Sequence, residues 1–347
     1  MQTKITFSLL VGFFLFLGVA ATYSFGVDGR AGASDSPVAG IAATQEASIG
    51  PLSSFVRAVK FSPDGKALAC ACEDGSISLW STTTRARLAT PAGGTGRIRS
   101  LSFNPMGSLL ASACHDCLVR VWSVSTNKNV ATLHGKVLGG YALPQIAVNF
   151  SPDGKTLAAS DQAGNVAIWD IVATRQVAIL SGHDGPVYSI AFSPNGKKMA
   201  TAGWDKVIKI WDVRGKKVAI KCAGHEAPVM SLCFNSAGTL LASGSQDASV
   251  KLWNPSNGAL LATLDGHSLT VESVAFSPNG KLLASGSRDE TVKIWEVSSR
   301  RMLETLSPNA GIVFSLDFSA DGTSLAVGCS DKAVKLWHIG PRQQGAR

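Results

Sequence analysis

Phe61 opens the string FSPDG, and related strings begin at Phe103, Phe150, Phe192, Phe234, Phe276 and Phe318. Trp80, Trp122, Trp169, Trp211, Trp253, Trp295 and Trp337 keep the same spacing, 42 residues at every step except the 47 between the second and third copies. Two independent markers that hold one register through seven copies make the chain an array of one structural unit. No other feature narrows the possible folds so far.

The unit reads as four short strands, most clearly between Ser181 and Leu264. Val187 to Phe192 is rich in apolar residues, and SPNG makes a turn. Lys198 to Ala202 leads to a second turn at Trp204-Asp205. Val207 to Val213 carries the repeat Trp, and a weaker strand, Val218 to Cys222, ends at Gly224-His225. Four strands of about five or six residues with short turns fill 42 residues. A small sheet with two apolar faces must stack on neighbours, and radial stacking of seven closes a ring with few open edges. With 45% hydrophobic and 16% charged residues, the composition suits a large core and excludes a disordered chain.

The GH dipeptides, the FSPDG-like turns, the LASGS-x-D strings and a Trp six residues after that Asp resemble the WD40 repeat family. The resemblance covers residues 44–340 and implies an all-β, seven-bladed β-propeller of four-stranded antiparallel blades. It is specific for fold and uninformative about function. It also implies a buried polar tetrad in three blades. The sets are His183, Thr201, Asp205 and Trp211; His225, Ser243, Asp247 and Trp253; and His267, Ser285, Asp289 and Trp295. Their recurrence speaks against a single hydrolase centre and for a structural network. Elsewhere the His is replaced by Leu52, Gly94, Tyr141 and Asn309, and the Asp by Ala163 in blade three. Those blades are expected to lean on apolar packing, with blade three the least rigid.

Blade seven runs out of sequence after its third strand. Thr44 to Ile49 aligns with the fourth strand of the other blades, so an N-terminal strand is expected to complete blade seven and fasten the ring. Residues 1–27 hold one charge, Lys4, before an apolar stretch that ends in Val19, Ala20 and Ala21. This pattern fits a signal peptide cleaved after Ala21, or an uncleaved membrane anchor. Either reading exports the propeller (periplasmic, extracellular or lumenal), with 28–43 as a flexible linker and 341–347 as a tail. A cytoplasmic scaffold remains the alternative, and a monomeric propeller is expected.

The net charge of +8 raises nucleic acid as a partner. Arg120, Lys209, Lys251, Lys293 and Lys335 all precede the repeat Trp by two residues, and Lys66, Lys155, Lys197 and Lys281 follow the FSPDG-like turns. Charges spread around the ring read as solvated repeat positions, whereas a nucleic-acid footprint is clustered. In related propellers the binding face is the rim where loops enter the innermost strands. Two variable positions per blade point there by resemblance. One holds Arg57, Arg99, Ile146, Tyr188, Met230, Glu272 and Phe314; the other Glu73, His115, Gln162, Trp204, Gln246, Arg288 and Ser330. Tyr188, Trp204 and Met230 are expected to form one apolar patch, an anchor for a protein or peptide partner. Trp204, the only Trp outside the repeat register, either binds or packs across its own turn. Five extra residues within 133–145 lengthen a loop on the same rim.

Seven cysteines fit no zinc framework. Cys114 and Cys117 flank a turn whose ends approach within about 7 Å, so free thiols and a local disulfide both stay open. No phosphate loop, nucleophile elbow or paired-His metal motif occurs, and no cofactor is called for. The leading expectation is a non-catalytic scaffold that binds protein. A propeller enzyme or carbohydrate-binding protein using the central opening is the alternative, and would need converging carboxylates or metal ligands outside the repeat positions.

Overall fold

A computed structural model describes residues 41–91, 93–135, 137–138 and 141–341. The signal or anchor segment 1–27, most of the linker and the tail from 342 lie outside the described residues. Seven four-stranded antiparallel sheets follow one another; in six of them the first strand is innermost and the others lie in sequence order outward, and the seventh takes its outermost strand from the N-terminal end. Blade four is Val187–Phe192, Lys198–Gly203, Ile208–Asp212 and Lys217–Cys222. Among the described residues no helix is long and apolar enough to cross a membrane.

The seams between blades carry the core. Seven apolar clusters occur, and each joins two neighbouring sheets. At the closing seam Val56, Val59, Phe61 and Leu68 of blade one meet Ala326, Val334 and Leu336 of blade seven. A blade alone would leave these faces in water, so the ring stabilises each sheet by burying its neighbour's surface.

Blade seven closes as the sequence suggests. Val313–Phe318, Ser324–Cys329 and Val334–Pro341 come from the C-terminal end, and Ile41–Ile49 adds the outermost strand. Its register runs from Ile41 opposite Pro341 to Ile49 opposite Val334. The strand starts at Ile41, three residues inside the expected linker, because Ile41 and Ala43 pack on the seam between blades six and seven. The extra residues between blades two and three form a small hairpin, Val137–Leu138 paired with Tyr141–Ala142.

Each FSPDG-like turn closes on its own side chains. In the first, Ser62 Oγ donates to Asp64 and accepts from the Ala67 N–H, and Gly65 takes a φ of 70° that favours glycine. Successive turns touch: a methyl group added at Gly107, Gly238 or Gly322 would meet the proline ring of the preceding blade's turn at 3.3–3.4 Å. These contacts link the blades at the end of the ring opposite the rim.

Candidate functional site

In all seven blades the innermost strand slips register at its second residue, as between Val187 and Ser189. Such a β-bulge sets two residues against one on the partner strand and re-aims a side chain. The bulged residues are Arg57, Arg99, Ile146, Tyr188, Met230, Glu272 and Phe314, the first variable set read from the sequence. Six of the seven, all but Ile146, line a central channel of about 330 Å³. The next residue is serine in five blades, and its hydroxyl accepts the N–H of the following blade's innermost strand at 3.0–3.1 Å. One bulge thus frees a residue for the channel mouth and ties two blades together below it.

The second variable set is held beside the first by a repeated backbone bond. The N–H groups of Glu73, His115, Trp204, Gln246, Arg288 and Ser330 donate to the residue just before the innermost strand, at 2.9–3.0 Å. That brings Phe55 and Arg97 to the mouth, and Leu269 stands one residue earlier in its blade. None of the three was singled out in the sequence. The recurring position before the strand was the available signal.

Ion pairs join the sets. Glu73 takes Arg57 through one oxygen and Arg97 through the other. Glu272, buried, accepts from Arg288 at 2.5 Å. The Arg57 guanidinium stacks on the Phe314 ring, 3.8 Å from its centre, and Phe55 stacks on the same ring. Arg99 stands over Tyr188 at 5.4 Å and makes no ion pair among the described residues. Burial lowers its pKa, opposed by Glu272 and reinforced by Arg97 and Arg57. Burial also lowers the His115 pKa, helped by Arg97 and Arg99. Glu73 and Glu272, the two carboxylates of these variable sets, are therefore both held by guanidinium groups.

The expected apolar patch divides. Tyr188 and Met230 turn into the channel, where Met230 is only 7% exposed and its sulfur receives the Gln246 amide. Trp204 is 55% exposed on its turn and is absent from the channel lining, resting its ring on Gly185. The bulge sends 188 and 230 inward, whereas 204 stands on a hairpin tip. Among the described residues, Phe55 and Leu269 are the other large apolar side chains exposed at this end.

The three tetrads have matching geometry. In blade four Trp211 Nε1 donates to Thr201 Oγ1 at 2.8 Å, that oxygen meets His183 Nε2 at 2.7 Å, and His183 Nδ1 reaches Asp205 at 2.9 Å. Blades five and six repeat the chain at 2.7–2.8 Å through Trp253, Ser243, His225 and Asp247, and through Trp295, Ser285, His267 and Asp289. Two expectations fail nearby. The cations before the repeat Trp are not uniformly solvated: Lys209 is 5% exposed and, like Arg120 and Lys335, pairs with the turn Asp four residues earlier. A side chain at Gly94, the His position of blade two, would meet Cys114 Sγ, Asp116 Oδ2 at 2.8 Å and the Arg120 guanidinium at 2.9 Å, so these three groups together fill the missing imidazole's space. Blade three is not left to apolar packing. Buried Asp161 accepts from the N–H groups of Ala163 and Asn165 and from the Asn165 amide, doing the turn work that Ala163 cannot.

Cys114 is a free thiol, as are Cys70, Cys72, Cys222, Cys233 and Cys329, so the turn disulfide left open by the sequence does not form. Cys114 donates to the Gly96 carbonyl, and burial pushes its thiol up to about 11, far from a reactive thiolate.

A family model described as WD domain, G-beta repeat matches seven segments, 45–81, 86–123, 129–170, 174–212, 215–254, 258–296 and 300–338. No curated protein matches the chain.

Proposed function

The chain belongs to the WD40 repeat family, and from that premise we propose that it is a non-catalytic scaffold that holds a protein or peptide at the mouth of its channel. Propellers of this family typically serve as protein-interaction scaffolds. The observation that carries the reading is the repeated bulge, which turns the variable residue of six blades toward the channel while its neighbours keep the seams. Exposed Phe55, Trp204 and Leu269 stand at the same end and supply the apolar area that interface anchors need.

Affinity capture from the native compartment tests it. A Trp204→Ala/Leu269→Ala variant should lose the partner at unchanged melting temperature. Met106→Ala, on the turn at the opposite end of blade two, should keep it. Capture by all three proteins alike contradicts the proposal.

Export is the second part of the proposal and rests on residues 1–27. Sequencing the mature N-terminus and fractionating cells decide it. A start after Ala21, or an intact N-terminus in the membrane fraction, supports export; intact Met1 in the cytosol contradicts it.

A further inference from the structure

Resting on the mouth as the binding surface, we infer that the partner enters with a carboxylate, received by Arg99, and lays an adjacent apolar side chain on Tyr188 and Met230. The charges at the mouth are unevenly spread. Arg57, Arg97 and Arg288 each have a carboxylate, Glu73 for the first two and Glu272 for the third. Four guanidinium groups face two carboxylates, and Arg99 is the one without an ion pair among the described residues.

The cations also gather on one side. Arg57, Arg97 and Arg99 come from blades one and two, with His115 beside them. Blades three to five offer no charge at these positions: Ile146 is buried, Tyr188 and Met230 line the channel, and Gln162, Trp204 and Gln246 stand at the turns. A partner covering this mouth would strip water from Arg99, which is unfavourable unless an anion replaces it. A planar guanidinium lying over the Tyr188 ring is pre-organised to bind a carboxylate in bidentate fashion. The apolar neighbours select what accompanies the anion. The channel, about 330 Å³, admits one or two side chains; a helix about 10 Å across would need far more room. Three arginines on adjacent blades make a local anchor rather than the track a nucleic-acid backbone follows.

The carboxylate can come from an Asp or Glu side chain or from a chain terminus. Four pools of degenerate peptides, each about seven residues long, are passed over the immobilised full chain. Three are amidated with a central Glu, Gln or Lys, and the fourth has a central Gln and a free C-terminus. A short poly-dT oligonucleotide is run in parallel.

A charge-assisted bond predicts roughly 10- to 100-fold enrichment of the Glu pool or the free-terminus pool over the amidated Gln pool. Which pool is enriched names the source. Aromatic or aliphatic residues should be selected beside the anion, and retention should fall at about 0.3 M salt. Arg99→Gln should abolish the enrichment and Arg99→Lys retain part of it, both at unchanged melting temperature. Equal retention of all pools, retention of none, unchanged enrichment in Arg99→Gln, or tighter binding of the oligonucleotide each overturns the inference. The capture experiment above uses the whole partner, so it still decides whether the mouth binds protein if the carboxylate fails.

Discussion

An indole N–H can only donate and a carboxylate can only accept, so the polar chain in blades four to six has fixed ends. Trp211 donates to Thr201 and His183 donates from Nδ1 to Asp205, with Thr201 Oγ1 and His183 Nε2 joining the two halves. His225→Ala would leave Asp247 and Ser243 without their shared partner and should cost about 2–4 kcal/mol in urea unfolding. Trp204→Ala removes an exposed ring and should cost less than about 1 kcal/mol. The pH dependence follows from two depressed pKa values. Burial lowers the His267 imidazole below its ordinary 6.5, so the unfolded chain takes up protons first and stability falls as pH drops through that value. Burial would raise the Asp289 carboxyl, but Thr291, His267 and the Ser268 N–H outweigh it and hold it at about 2. Its contribution is complete above the ordinary 3.8 and is lost as pH falls from there to about 2. Stability measured between pH 7 and 2 should therefore fall in two stages, and Asp289→Asn should shrink the second. The tetrads were legible because their residue types recur in register. The fate of Lys209 was not, since a charge looks solvated until the turn brings a carboxylate four residues away onto it.

At the scale of elements, the bulge matters most. Residue alternation alone would send every second side chain of an innermost strand to the channel. The bulge instead directs two consecutive residues there, the variable one and the serine that ties the next blade. A repeat shows that these positions differ in variability; the register slip that aims them is a backbone property and leaves no residue signature. Closure was readable because Ile41–Ile49 stands where a fourth strand was missing. Deleting Ile41–Ile49 exposes the edge of Val334–Pro341 and part of the seam below it, and should lower the melting temperature by more than about 10 °C. An unchanged melt would contradict closure by this strand. Blade one has the weakest outer strand, Arg87–Ala89, for a local reason. Pro91 stands where Cys222 pairs in blade four, and proline has no N–H for the ladder.

For the whole molecule, the two ends of the ring differ in chemistry. Lys66, Lys155, Lys197 and Lys281 are exposed on the turns that touch from blade to blade, so much of the +8 charge is solvent-facing and away from the mouth. Among the described residues, the mouth concentrates paired arginines, Arg99 without an ion pair, and three exposed apolar side chains. Spreading one fold over seven equivalent seams leaves the mouth free to vary, because each blade's stability lies in its neighbours rather than in its bulged residue. The sequence marked this end through its variable positions; Phe55 and Arg97 at the recurring position before the innermost strand, and Leu269 one residue earlier, come to it through the backbone bonds of the turns. Binding at this end is tested most directly by photo-crosslinking in the native compartment. A photoreactive phenylalanine analogue is placed at Trp204, at Leu269 or, on the opposite end, at Met106. Crosslinks to one protein partner from 204 and 269 and none from 106 are the predicted result; equal crosslinking from all three positions, or crosslinking from 106 alone, would contradict a partner held at the mouth.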